Sequence, residues 1–260
     1  MTKLSLSRIS LALLAGALAC AAHAQETPAP VQDEGAPPKA VKVTARRNPN
    51  DLPYDFYFRD QARLYSYLPA RPRMVDVVWR VSFTELSEPE QDAYVPQGWA
   101  VALIGNGYEQ TVPVARGGYF LLPALPLGRQ GAAIMFKEQS MSLALRVSWV
   151  VHVGAGQRLS YADFGRAMDE VHSAQSAMPP GYMPAANVRA IQYDGLKACF
   201  LDAGGALLID GKPAADARVG NCSVLKFDPA RAGGGQEIEF SGPLDIVTVV
   251  ATKDYRKDSA

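Results

Sequence analysis

Val75-Asp76-Val77-Val78-Trp79-Arg80-Val81-Ser82-Phe83 and Leu143-Ala144-Leu145-Arg146-Val147-Ser148-Trp149-Val150-Val151 decide the fold class of this chain. In the first, Val75, Val77, Trp79, Val81 and Phe83 alternate with Asp76, Arg80 and Ser82. In the second, Leu143, Leu145, Val147, Trp149, Val151 and Val153 alternate with Ser142, Arg146, Ser148 and His152. A period of two belongs to a strand, whose successive side chains point to opposite faces. Each segment therefore predicts a half-buried strand with one Trp on its core face. The shared Arg-Val-Ser at 80–82 and 146–148 is too short to define a repeat.

Between these two strands the chain reads as hairpins. Trp99 to Ile104 runs into Gly105-Asn106-Gly107 and returns through Tyr108 to Val114. Asn-Gly supplies the positive φ that a type I′ turn demands. Arg116-Gly117-Gly118 makes the next turn, before Tyr119 to Pro123, and Ala132 to Phe136 is another short strand. Short strands between tight turns predict a sandwich of antiparallel sheets. The passage from Trp99 to Pro126, with Gly118, Phe120, Pro123, Leu125 and Pro126 after the Asn-Gly turn, resembles the carboxypeptidase-regulatory or transthyretin-like sandwich. The Asp that usually precedes the Gly is absent, and position 117 is another Gly. The resemblance covers about residues 75–155. It implies an accessory or binding module without catalysis of its own, and it carries over no catalytic residue.

Upstream lies an aromatic cluster: Tyr54, Phe56, Tyr57, Phe58, Tyr65 and Tyr67. Tyr54, Phe58, Ala62 and Tyr65 fall at helical spacing, Pro53 suits a first turn and Pro69 stops the helix. The alternation 54-56-58 would also suit a strand. The plain reading is an apolar helix face packed on a sheet. The functional one makes Tyr54, Phe56, Tyr57, Tyr65 and Tyr67 candidate binding residues for a sugar ring or a partner protein.

Downstream, Ser160-Tyr161-Ala162-Asp163 resembles a capping box. Tyr161, Phe164, Met168, Val171 and Met178 then form a narrow apolar stripe of a helix that ends at Met178-Pro179-Pro180-Gly181. Short β runs follow at Val188–Tyr193, Leu196–Leu201, Ala206–Asp210, Cys222–Asp228, Glu237–Phe240 and Leu244–Thr252. Lys253 to Ala260 reads as a charged, frayed tail.

The N-terminus predicts export. Lys3 and Arg8 precede an apolar run, and Ala22-His23-Ala24 has the form of a cleavage site, so 1–24 reads as a signal peptide. Ala17-Leu18-Ala19-Cys20 offers a competing cut that would lipidate Cys20 and put the protein on the outer membrane. Residues 25–52 form a Pro-rich tether. Its Val41-Lys42-Val43-Thr44-Ala45-Arg46 is similar to the segment that opens TonB-dependent receptors, a family whose barrel needs far more chain than this.

The 260 residues carry 26 Lys+Arg and 26 Asp+Glu. Loss of Lys3 and Arg8 leaves 24 basic against 26 acidic residues, and loss of His23 leaves only His152 and His172. This balance argues against a nucleic-acid partner. In the periplasm Cys199 and Cys222 are expected to pair as a disulfide.

Motifs for chemistry are sparse. There is no G-x-S-x-G, HExxH or CxxC, and no cofactor or metal is expected. Asp194, Asp202, Asp210 and Asp216 recur at hairpin-turn spacing. Glu237 and Glu239 share one strand face, whereas glycosidase pairs bridge a cleft. The Gly-rich stretches at 154–156 and 233–235 lack the rest of a phosphate-binding motif. His172, near Asp169 and Ser176, reads as part of a solvated helix face.

The expected fold is therefore mainly β. Two small antiparallel β-sandwich-like modules, 53–155 and 183–260, are joined through one connecting helix within 156–182, with a short N-terminal helix before them. The expected function is an exported, non-catalytic envelope protein that binds, adapts or assembles, with an unknown envelope protein or glycan as partner. A periplasmic hydrolase using a carboxylate or His172 between the modules is the alternative. An outer-membrane lipoprotein held by Cys20 is another, and only that form would associate with a membrane.

Overall fold

The computed structural model describes residues 51–94, 101–105, 107–125, 132–136, 143–181 and 188–255. The signal segment, the tether as far as residue 50, and the last five residues lie outside these ranges.

The strands are β1 (Leu52–Pro53), β2 (Val75–Phe83), β3 (Val101–Gly105), β4 (Tyr108–Val112), β5 (Tyr119–Phe120), β6 (Ala133–Phe136), β7 (Leu143–Val151) and β8 (Arg158–Ser160) in the first part of the chain. Then follow β9 (Gly195–Phe200), β10 (Ala206–Ile209), β11 (Lys212–Pro213), β12 (Ala217–Val219), β13 (Cys222–Lys226), β14 (Glu237–Ser241) and β15 (Leu244–Val250). The helices α1 (Tyr54–Tyr65), α2 (Glu88–Ala93) and α3 (Tyr161–Ala177) join them among the described residues. The protein is mainly β with antiparallel sheets and few helices, as the alternating segments require.

The two segments quoted first pair with each other along their whole length, from Val75↔Val151 to Phe83↔Leu143. This register sets Trp79 opposite Val147 and Val77 opposite Trp149, so both indoles face the same core and both are buried. β2 and β7 sit inside a seven-stranded sheet of order β12-β13-β9-β15-β7-β2-β5. That sheet draws strands from both expected modules, so the boundary at 156–182 does not divide it. A single apolar cluster also joins Val101, Leu103 and Ile134 of the sheet β1-β6-β3-β4 to Leu207, Ile238 and Phe240 of the sheet β11-β10-β14-β8. Alternation within one strand reports burial but not which strand lies beside it.

Local signals fix the smaller elements. β3 and β4 form the expected hairpin, closing at Gly105↔Tyr108, with Gly107 at φ +68°. Ser160 caps α3: its hydroxyl accepts from the Asp163 amide at 3.0 Å, and Phe164, Met168 and Val171 are buried beneath it. Cys199 and Cys222 face each other on β9 and β13 with sulfurs 2.07 Å apart, a disulfide between neighbouring strands.

Three expectations are corrected. Residues 188–190 are helical, and Val188–Tyr193 is not a strand. The strand expected over Tyr119–Pro123 stops at Phe120. The charged tail is anchored at its start: Tyr255 is 5% exposed, because its ring packs with Val224 and Val250.

Candidate binding site

β2 and β9 are covered on both faces, so their polar half is not solvated. Lys197, the one charged side chain of β9, is fully buried like its apolar neighbours. An ammonium has three hydrogens to donate, and each has an acceptor: Asp92 Oδ1 at 2.5 Å, Tyr119 OH at 2.9 Å and Tyr255 OH at 3.2 Å. Asp92, also fully buried, accepts from Arg80 Nη2 at 2.7 Å on the same oxygen and from Tyr255 OH at 2.7 Å on the other. Arg80 donates from Nε to the Gly117 carbonyl at 2.9 Å and from Nη1 to Glu88. Glu88 in turn holds Arg146 Nη1 at 3.1 Å at the surface. The Tyr119 ring lies under both cations, 4.8 Å from the Arg80 guanidinium carbon and 5.1 Å from Lys197 Nζ.

Two buried cations thus meet two carboxylates, with the tyrosines filling the remaining valences. Burial opposes the charge on Arg80, but the acidic groups around it, Tyr119 first and then Asp92, Glu88 and Tyr255, outweigh that and raise its pKa. Burial, then the charge of Asp92, pushes the Tyr255 hydroxyl well above its ordinary value, so it stays a donor to Asp92.

The backbone is shaped to this cluster. Gly117 at φ +75° has room only for hydrogen: a Cβ there would sit 2.9 Å from Asp92 Oδ1 and 3.0 Å from the Tyr119 ring. Its neighbour Gly118, at φ +87°, would press a Cβ to 2.4 Å from the Val81 carbonyl oxygen. α2 supplies both Glu88 and Asp92. At its start Glu90 accepts from the Ser87 amide at 2.8 Å. The spacing Ser87-Glu88-Pro89-Glu90 is a helix-start signature, and it was the sequence signal for this overlooked helix.

Beside the cluster the sheet forks. β7 and β15 are in register only at Val150↔Thr248. A cavity of about 420 Å³ occupies the gap, lined on β7 by Leu145, Arg146, Val147 and Ser148 and on β15 by Val249 and Val250. Leu145 and Val147 share the face of Trp79, and Arg146 and Ser148 share that of Arg80, as their cross-strand partners require. The cavity therefore crosses the sheet. One side is apolar, with Val188, Ile191 and Tyr193, and the other carries Arg80, Glu88, Tyr119 and Tyr255. Asp254 also lines it. Burial and then the Glu88 charge raise that carboxyl's pKa.

The residues singled out in the sequence lie elsewhere. Tyr54 is buried, its hydroxyl donating to the Pro123 carbonyl at 2.7 Å and accepting from the Leu125 amide at 3.1 Å. Tyr57 meets Trp79 edge-on at 5.1 Å, and the Tyr65 hydroxyl donates to the Val77 carbonyl at 3.2 Å. The Tyr67 hydroxyl accepts from Arg63 Nε at 3.1 Å. Phe56 is 45% exposed, whereas the four tyrosines are buried or half-buried, so the five do not make one open aromatic surface. Asp169, His172 and Ser176 are not assembled for catalysis. His172 Nε2 is 2.9 Å from the Tyr193 carbonyl and so acts as a donor, while Ser176 donates to the His172 main-chain oxygen at 2.9 Å. Asp202 and Asp216 accept from nearby backbone amides, and Asp210 sits at φ +52° in the β10–β11 turn. Asp194 holds the amide and hydroxyl of Thr252. Arg158 pairs with both Glu237 and Glu239.

Compared with family models, with curated proteins and with solved structures, the chain matches none.

Proposed function

We propose that this protein is an exported, non-catalytic binding module of the bacterial envelope whose ligand enters the cavity between β7 and β15. The observation that carries this reading is the cavity itself. About 420 Å³ of space crosses the sheet, apolar on one side and lined on the other by the paired Arg80 and Glu88 and by Asp254. Ligand pockets typically enclose about 300–1,000 Å³ with apolar walls and a few placed polar groups. Acid–base catalysis needs a group able to exchange a proton with substrate, whereas Arg80 and Glu88 in the lining are engaged with each other and the Tyr255 hydroxyl with Asp92. The resemblance of Trp99–Pro126 to accessory sandwich modules points the same way. Export rests on residues 1–24 and on the cysteine pair.

Fluorescence of 8-anilinonaphthalene-1-sulfonate tests the cavity. The dye is expected to brighten on binding, and Ser148→Phe, which grows into the space, to abolish this while the protein still unfolds cooperatively. Equal fluorescence from the filled variant would reject the site. Leu145→Phe serves if Ser148→Phe does not fold. Mass spectrometry of the exported protein reads the N-terminus: Gln25 for the soluble form, acylated Cys20 for the lipoprotein.

A further inference from the structure

On the side away from β2, β7 is a half-open edge beside the cavity. β2 covers one side of the strand along its whole length, and β15, its neighbour on the other, is in register with it at Val150 alone. Among the described residues no strand pairs with that second side between Leu143 and Trp149. In a strand, alternate residues aim their amide and carbonyl to each side, and along an edge those groups take partners from water or from another main chain. Here the edge faces the cavity at Leu145 to Ser148.

From this we infer that the ligand is an extended peptide segment that adds as a strand along β7. The inference rests on the reading of the cavity as the binding site. Three features select a peptide over a compact small molecule. Along that side, where no described strand pairs with it, the β7 main chain presents donors and acceptors at strand spacing, which only another main chain matches along its length. Four consecutive lining residues rise roughly 3.3 Å each, so the site takes a segment of about four residues. The walls also follow the period of a strand. Side chains on one face of the added segment would meet Val188, Ile191 and Val249, and those on the other would meet Arg80, Glu88 and Arg146. Alternating apolar and polar residues are thus the expected recognition pattern, with the half-exposed Arg146 facing the polar ones.

The probe is acetyl-Val-Thr-Val-Thr-amide, titrated into the full mature protein and followed through the backbone amide resonances of β7. Two further versions carry N-methyl groups on alternate amides, one set in each. The expected result is that the unmodified peptide shifts residues 145–148. One methylated version should bind at least tenfold more weakly and the other nearly unchanged, because only one set of amides faces β7. Equal binding by all three would overturn strand addition. So would hydrogen-exchange protection of the cavity-facing β7 amides in the free protein equal to that of the β2-facing ones. Absence of peptide binding at millimolar concentration, with the dye still bound in a Ser148-dependent way, would overturn the peptide and leave the cavity reading standing. If neither probe binds, both fall.

Discussion

On one face of the seven-stranded sheet Trp79, Trp149, Leu196 and Phe200 are buried against the helices and the smaller sheets. One residue further along the same strands, the other face carries Arg80 and Lys197, buried as deeply. The apolar face is held by area removed from water and by close packing, which are forgiving of direction. Its counterpart is held by a closed set of hydrogen bonds, in which each ion is tolerable only because the others are present. Burial alone is thus the wrong guide to robustness: a similar loss of surface hides two different responses to mutation.

The sharpest way to break this comparison is at Asp92. Asp92→Ala would leave Lys197 and Arg80 buried without their shared acceptor, and a loss of about 3–5 kcal/mol in urea unfolding is expected. Lys197→Met should cost less than half as much, since Arg80 and Tyr255 still serve Asp92. If it costs more, the cluster is not a mutually balanced set. On the apolar face Trp149→Ala is expected to lose about 3–5 kcal/mol as well, by leaving a void. That loss should be the same at pH 7 and pH 10.5, in contrast to the charged face.

Next in size is the disulfide, which closes a loop of sequence separation 23. Its reduction should cost roughly 3 kcal/mol in the chain-entropy model, read as a shift of the urea midpoint between oxidised protein and the protein in excess reductant.

Tyr255→Phe removes one donor to Asp92 and should cost about 1.5–3 kcal/mol at pH 7. It also tests the alkaline limb. The folded pKa of Tyr255 lies above its unfolded value of about 10. Its contribution is therefore full below that unfolded value and is lost as pH rises through the folded one. The fall in stability between pH 9 and pH 11 should be shallower in the variant, and an unchanged slope would remove Tyr255 from the linkage. The smallest effect, about 1 kcal/mol, is expected for Ser160→Ala, which strips the cap of α3 without touching either face.

Much of the architecture was legible locally. The Asn-Gly turn, the cap at Ser160 and the two Trp-bearing strands each depend on a few neighbouring residues, and the described residues hold two cysteines to pair. The candidate site was not legible in this way. Arg80 stood in the polar phase of an alternating strand, which reads as solvent-facing whenever the strand is taken alone. Its burial follows from α2, β5 and the C-terminal turn closing over that face. Lys197 gave a better clue, a single cation in Gly195–Phe200, where every residue is buried. A charge in an apolar run calls for a partner, but nothing local says that the partners are Asp92, Tyr119 and Tyr255.

By itself, then, the sequence determined that the two Trp-bearing segments are strands, where the hairpin before Tyr108 turns and how α3 begins, because those follow from backbone sterics and side-chain period. Tertiary structure alone decided that both halves share one sheet and that its second face holds an ion cluster. It also decided that β7 and β15 part to leave a cavity. Strand order and fork are set by the packing of segments a hundred residues apart, and no period in either segment encodes its neighbour.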